Sequence, residues 1–245
     1  LGARADVTEE TRDGGGTPQQ AKELRSFGRR HGRKLSPRQQ MLLDDVLPRL
    51  ALDLERLPPA PLTKLFAAPV GEVWLEIGFG GSEHLIWQAA HNPAVGLIGC
   101  EPFEDGVVKA LTAITEEQLP NVRLHADDAR DVLRWLPPAS VSRAFVLFPD
   151  PWPKRRHVKR RLVSTATLDL LARVLKPGAE LRIASDIGDY LRTILIAFQP
   201  RTDFRWTAAC ASDWRERGTD WPPTRYEAKA HREGRKGYFL RFVRT

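Results

Sequence analysis
Between residues 73 and 185, short apolar runs alternate with stretches of helical spacing, and this alternation constrains the fold more than any other feature of the chain. The runs are VWLEI (73–77), VGLIGC (95–100), VRLHA (122–126), AFVLF (144–148) and ELRIAS (180–185). The stretches between and after them, 82–90, 103–118, 128–136, 163–175 and 187–198, carry apolar residues at helical intervals. Strands joined through helices of this length are parallel, so the chain is expected to form an open α/β sheet with helices on both faces. FRWTAA (204–209) and YFLRFV (238–243) lack a comparable crossover and are expected to close one edge as an antiparallel pair, giving seven strands. In such a sheet a ligand sits at the carboxyl ends of the strands.

The flanking sequence is of a different kind. Residues 1–24 are polar, contain a Gly14-Gly15-Gly16 run and carry too little apolar surface to offset the entropy of ordering, so a disordered tail is expected there. Residues 25–62 form a second segment, in which Leu42, Val46, Leu50 and Leu54 predict a helix over 41–57 that LPPAP (57–61) ends. Residues 63–245 form the main domain. No apolar run approaches the roughly 20 residues needed to cross a bilayer, and the first residues resemble neither a secretory signal nor a transit peptide, so a cytoplasmic protein without a membrane partner is expected. Cys100 and Cys210 stand far apart with no metal-ligand spacing, which predicts ordinary thiols and no metal.

The net charge of +7 matters less than its distribution. Residues 25–38 hold six Lys or Arg and no acid, residues 154–161 hold six more, and residues 225–245 hold seven against Glu227 and Glu233. Clusters lacking interspersed acids point to a polyanionic partner.

LEIGFGGSEH (75–84) is a strand entering a glycine turn and a helix, with Gly78 and Gly80 permitting close approach of a ligand and Ser82 placed to cap the helix. Glu83 occupies the sixth position of the motif, where its carboxylate would repel the phosphates of a dinucleotide. Acids stand elsewhere at the strand ends: Glu76 in the glycine motif, Glu101 after the second strand, suited to ribose hydroxyls, and Asp128 after the third, within reach of an adenine amino group, with a helix cap as its alternative. A cationic adenosyl ligand without phosphates, S-adenosylmethionine, suits that set.

After the fourth strand comes FPDPWPKRRHVKRR (148–161). Pro149, Pro151 and Pro153 are expected to push Phe148, Asp150 and Trp152 towards extended geometry, fixing Asp150 at the mouth of the cleft and offering Trp152 as a flat apolar face. The cations that follow would hold phosphates close to the methyl acceptor, as a base within a nucleic acid requires.

FPDPWPKRRHVKRR, together with RSFGRRHGR (25–33), LEIGFG (75–80), SDIGDY (185–190) and TRYE (224–227), resembles the bacterial tRNA (guanine-N7)-methyltransferases from about residue 25 to residue 245. The resemblance implies a Rossmann-like class I methyltransferase fold and transfer of a methyl group from S-adenosylmethionine to N7 of a guanine in the variable loop of tRNA, by a monomer or homodimer. By motif position it implies cofactor contacts at Glu76, Gly78, Gly80, Glu101, Asp128 and Asp150, with Asp150 also the active-site acid. It implies substrate contacts at Lys154, Asp186, Thr224, Arg225, Tyr226 and Glu227, and RNA contacts at Arg156, His157, Val158, Lys159, Arg160 and Arg161. Ser82 stands where many members carry glycine, and Tyr226 where Phe is common.

Guanine N7 carries a lone pair and no proton, so no general base is needed at that atom and alignment should supply much of the rate. Asp150 could orient the guanine or stabilise the positive charge it gains, and the sequence leaves both roles open. Methylation of an exocyclic amine and a non-catalytic tRNA-binding role are the alternatives. An NAD-dependent oxidoreductase is disfavoured by Glu83.

Overall fold
A computed structural model describes residues 30–32 and 34–245. The polar tail at 1–24, and Arg25, Arg29 and Arg33 of the first basic cluster, lie outside the described residues.

The chain enters through α1 (Pro37–Met41), a π-helical turn (Leu42–Val46) and α2 (Leu47–Leu50). The helix expected over 41–57 is thus already under way at Pro37, capped by Ser36, and stops at Leu50. It stops because Ala51 bridges Leu124 and the Leu52 amide donates to the Leu124 carbonyl at 3.0 Å, so the chain becomes extended and covers the free edge of the outermost parallel strand. The sheet and its crossovers then follow in order: β1 (Glu72–Ile77), α3 (Glu83–His91), β2 (Val95–Cys100), α4 (Glu104–Glu116), β3 (Val122–His125), α5 (Ala129–Trp135), β4 (Val141–Leu147), α6 (Thr165–Val174), β5 (Leu175–Ser185), α7 (Gly188–Phe198) and β6 (Phe204–Trp206). The chain ends with α8 (Ser212–Arg215), α9 (Arg225–Arg232) and β7 (Tyr238–Arg244).

The strand order is β3-β2-β1-β4-β5-β7-β6, with β1 to β5 parallel and β7 antiparallel to both β5 and β6. The antiparallel edge expected from the sequence is present. The strands that the sequence predicts most sharply are those buried on both sides: all six residues of β2 are buried, and all of β1 after Glu72. A parallel strand with helices on each face has no solvated side to interrupt its apolar run. One apolar core, through Val132, Leu168 and Ile194, lies under α5, α6 and α7, and the other, through Leu85, Val107 and Leu111, under α3 and α4. The order reverses between β1 and β4, which opens a crevice at their carboxyl ends.

Candidate functional site
That crevice is a cleft of about 300 Å³, walled by the glycine turn after β1, by Glu101 after β2, Asp127 and Asp128 after β3, and Phe148 to Asp150 after β4. The turn takes its shape from three left-handed residues, Gly78 (φ 74°), Gly80 (φ 55°) and Ser82 (φ 69°). The expectation that Ser82 caps α3 is not met: its side chain makes no capping hydrogen bond, because the residue has taken up the left-handed conformation that closes the turn. A side chain at Gly80 would come within 2.7 Å of the Tyr226 ring, and one at Gly81 within 2.4 Å of the Arg225 guanidinium. The bare backbone of the turn is therefore what lets the start of α9 lie over it.

Glu101 is the acid most firmly built into the cleft. It is buried, and its carboxylate accepts from the Gly80 amide at 2.8 Å and the Phe103 amide at 2.9 Å. One bond falls on each oxygen, so each keeps a lone pair for a ligand hydroxyl. Burial pushes the Glu101 carboxyl above its ordinary range, the two amides opposing that shift. Asp128 is the N-cap of α5, accepting from the Arg130 amide at 3.0 Å and from the Arg130 guanidinium at 2.9 Å, while also lining the cleft. Glu76 does not line the cleft. It is buried beside it and bonded to His84 Nδ1 at 2.8 Å, and His84 Nε2 lies 3.1 Å from Gln88. Asp127, which nothing in the sequence distinguishes from Asp128, also lines the cleft and is held by the Arg30 guanidinium at 2.6 Å, which draws its pKa below the usual carboxylate value despite partial burial. The pair DD gave no sign of which acid would face the ligand, and nothing near Arg30 announces a partner 97 residues away.

The loop after β4 departs from expectation in an informative way. Phe148 and Trp152, both preceding proline, adopt φ of 50° and 42° rather than extended geometry. Such conformations cost on the order of 1–3 kcal/mol each and persist where surrounding contacts over-determine them. Asp150 stands between the two, on the rim of the cleft and open to solvent, yet the cleft walls desolvate its carboxyl enough to raise its pKa. Trp152 lines the cleft, with the Arg160 guanidinium 5.0 Å from its ring centroid and His157 edge-on at 5.8 Å.

Arg155–Arg160 form a 3₁₀ turn that begins just after Lys154. Lys154, Arg155, Arg156 and Lys159 are exposed and outside the cleft, His157 and Val158 are half-buried, and Arg160 reaches the cleft wall. Arg161, the last residue of the stretch expected to contact RNA, is turned inward. It is 3% exposed, donates to the Pro151 carbonyl at 2.8 Å and pairs with Asp189, because the turn directs it back into the protein.

On the far wall, Thr224 caps α9 by accepting from the Glu227 amide at 3.2 Å, Arg225 faces Glu83 at 3.5 Å, and Glu227 is paired with Arg217. Tyr226 alone of these four lines the cleft. Asp186 lies after β5, off the cleft, bonded to Arg235 at 2.7 Å. Cys100 is buried at the cleft floor and burial drives its thiol pKa upward, whereas Cys210 is exposed. Among the described residues there is no cluster of three or more potential metal ligands, and no helix long and apolar enough to cross a membrane.

A family model described as "Putative methyltransferase" matches residues 71–240. A tRNA (guanine-N(7)-)-methyltransferase of Rhizobium meliloti (strain 1021) is 52% identical over 219 residues, 89% of this chain and 94% of the relative. One of Chelativorans sp. (strain BNC1) is 50% identical with the same coverage. Among solved structures, the 16S rRNA methyltransferase KamB aligns over 78% of this chain and 95% of its own with a TM-score of 0.53 and 18% identity, a likeness of fold. Seven strands in this order, a glycine turn facing acids at the strand ends, and relatives matched over nearly their whole length converge on one conclusion: the chain belongs to the tRNA (guanine-N7)-methyltransferase family, with the class I methyltransferase fold.

Proposed function
We propose that the protein transfers the methyl group of S-adenosylmethionine to N7 of a guanine in the variable loop of tRNA. The observation that carries this reading is the placement of Asp150: it stands on the rim between the cleft at the strand ends and the exposed cations of the 155–160 turn. A base reaching Asp150 would have its own phosphates beside Arg155, Arg156 and Lys159.

When bound, S-adenosylmethionine supplies an electrophilic methyl on a sulfonium. In our reading Glu101 holds the ribose through its free lone pairs, Asp128 and Asp127 border the adenine end, and Gly78 and Gly80 admit the ligand close to the backbone. Glu76 acts at one remove, fixing the glycine turn through His84. Tyr226 and Trp152 bound the space for the guanine, with Arg225, Thr224 and Glu227 fixing the α9 wall and Asp186 and Lys154 completing the outer rim. Arg156, His157, Val158, Lys159 and Arg160 form the RNA-facing surface. No side chain takes a proton from N7, since that atom carries none. Asp150 either accepts from the guanine N1-H and amino group or lies against the charge that the purine gains.

The test is transfer of labelled methyl to two unmodified tRNAs, identical except that one carries 7-deazaguanine at the variable-loop guanine. Incorporation into the first alone is expected. Equal incorporation would redirect the reading to an exocyclic amine or another site, and none into either would leave a tRNA-binding protein.

A further inference from the structure
The loop carrying Asp150 is anchored on both sides of that residue. Before it, the Phe148 amide donates to the Ala184 carbonyl at 2.8 Å. After it, Arg161 Nε donates to the Pro151 carbonyl at 2.8 Å. The remainder of that guanidinium is turned towards α7, donating to Thr193 Oγ1 and to the Asp189 carboxylate and lying 4.9 Å from the Tyr190 ring centroid. Tyr190 itself accepts from the Val163 amide at 3.1 Å, so the chain on the other side of Arg161 is pinned to the same helix.

We propose that Arg161 is a positioning residue for methyl transfer, acting through Pro151 to hold the Asp150 loop, and that it makes no contact with RNA. This rests on the reading of Asp150 given above. Each of the three guanidinium nitrogens already donates within the protein, and a residue only 3% exposed has almost no surface to offer a phosphate. The loop also needs an anchor. Phe148 and Trp152 are held in left-handed conformations that bulky residues before proline avoid, and without the Pro151 contact the stretch is free to relax towards extended geometry. A displacement of about 1 Å at a reacting group can cost on the order of 100-fold in rate. Because Arg161 directly follows the basic turn, a single residue fixes both the acid and the end of the RNA-facing turn relative to α7.

The experiment compares single-turnover methyl transfer to tRNA by wild type, R161K, R161M and the pair D150N and D150N/R161M, with tRNA affinity measured across salt concentrations and cofactor affinity by calorimetry. R161M is expected to lower the rate at saturating tRNA by about tenfold or more, with the cofactor Kd changed by less than about twofold. Its slope of log affinity against log salt should match wild type, whereas R156A should flatten that slope by about 0.7–0.9. R161K should not restore the rate, since an ammonium cannot span Pro151, Thr193 and Asp189 together. In the D150N background the loss from R161M should shrink to about threefold or less, because the residue acts through Asp150. T193V, which keeps the arginine and removes one of its acceptors, should show the same pattern more weakly and serves where R161M fails to fold. A flattened salt slope in R161M would overturn the proposal in favour of an RNA contact. An undiminished loss in the D150N background would overturn it in favour of general stabilisation, and an unchanged rate would dismiss it outright. No transfer by wild type would instead defeat the functional reading, leaving the two failures distinct.

Discussion
The Glu101 carboxylate accepts the Gly80 amide at 2.8 Å, so the acid that ends β2 and the glycine turn that follows β1 are one unit. A ligand held by Glu101 is thereby held against the turn. Replacing Glu101 with Gln removes the charge and turns one amide N–H against another. Hydrogen bonds to a charged group contribute about 1.5–3 kcal/mol each, so E101Q should raise the Kd for S-adenosylmethionine by roughly 10- to 100-fold, measured by calorimetry. An unchanged Kd would remove Glu101 from the cofactor site.

The same residue sets a pH dependence. Its folded-state pKa is raised, chiefly by burial, so its share of the stability of the unliganded protein is fully present below the unfolded pKa and is lost as pH rises through the folded value. Cofactor binding runs the other way, since the ionised form is the better acceptor. Affinity should therefore fall on acidification at a pH above the ordinary glutamate range, and E101Q should flatten that limb.

Gly80→Ala tests the close approach of α9. The Cβ would stand 2.7 Å from the Tyr226 ring at a φ of 55°, combining a clash with a conformational cost of about 1–2 kcal/mol. G80A should lose both stability and cofactor affinity. Adding Y226A should recover the part due to the clash and leave the part due to φ, so the double variant is expected between G80A and wild type in thermal unfolding. A double variant no better than G80A would mean that α9 moves aside without cost.

Asp150 should behave as an aimed carboxylate whose charge matters in part. D150N keeps the shape and one acceptor oxygen and is expected to retain some activity, D150A to retain little, and equal activity of D150A and wild type would exclude both roles offered for it. Because desolvation raises its pKa, the rate should fall on acidification at a higher pH than an ordinary aspartate would give, and D150N should lack that limb.

How much of this was legible in the sequence depended on whether a residue's neighbours in the chain are also its neighbours in space. β2 was readable to the residue because both its faces are buried and its apolar run is unbroken. Leu54 was misread: it falls at helical spacing from Leu50, but the chain has already become extended at Ala51 to cover β3. Arg161 looks like the last of six equivalent cations, and only the geometry of the 3₁₀ turn sends it inward to Pro151 while Arg156 and Lys159 stay outside. The left-handed Phe148 and Trp152 contradict the local preference of a residue before proline, the kind of conflict between local and global demands that collects at functional sites.

Ser82 offers the most local of the tests. A serine that caps a helix through its hydroxyl loses about 1 kcal/mol on replacement by alanine. Ser82 precedes α3 at a φ of 69° without a capping bond, so S82A should leave the thermal midpoint nearly unchanged. Glycine should do better. It relieves a left-handed conformation costing about 1–2 kcal/mol and gives back about 0.4–1 kcal/mol through the greater freedom of the unfolded chain. The net gain of roughly 0.5 kcal/mol corresponds to a rise of about 1–2 °C for a domain of this size. A clear loss in S82A would restore the hydroxyl to a capping role, whereas the order S82G above wild type, with S82A level with it, would show that the turn's geometry, and not its hydrogen bonding, is what this position serves.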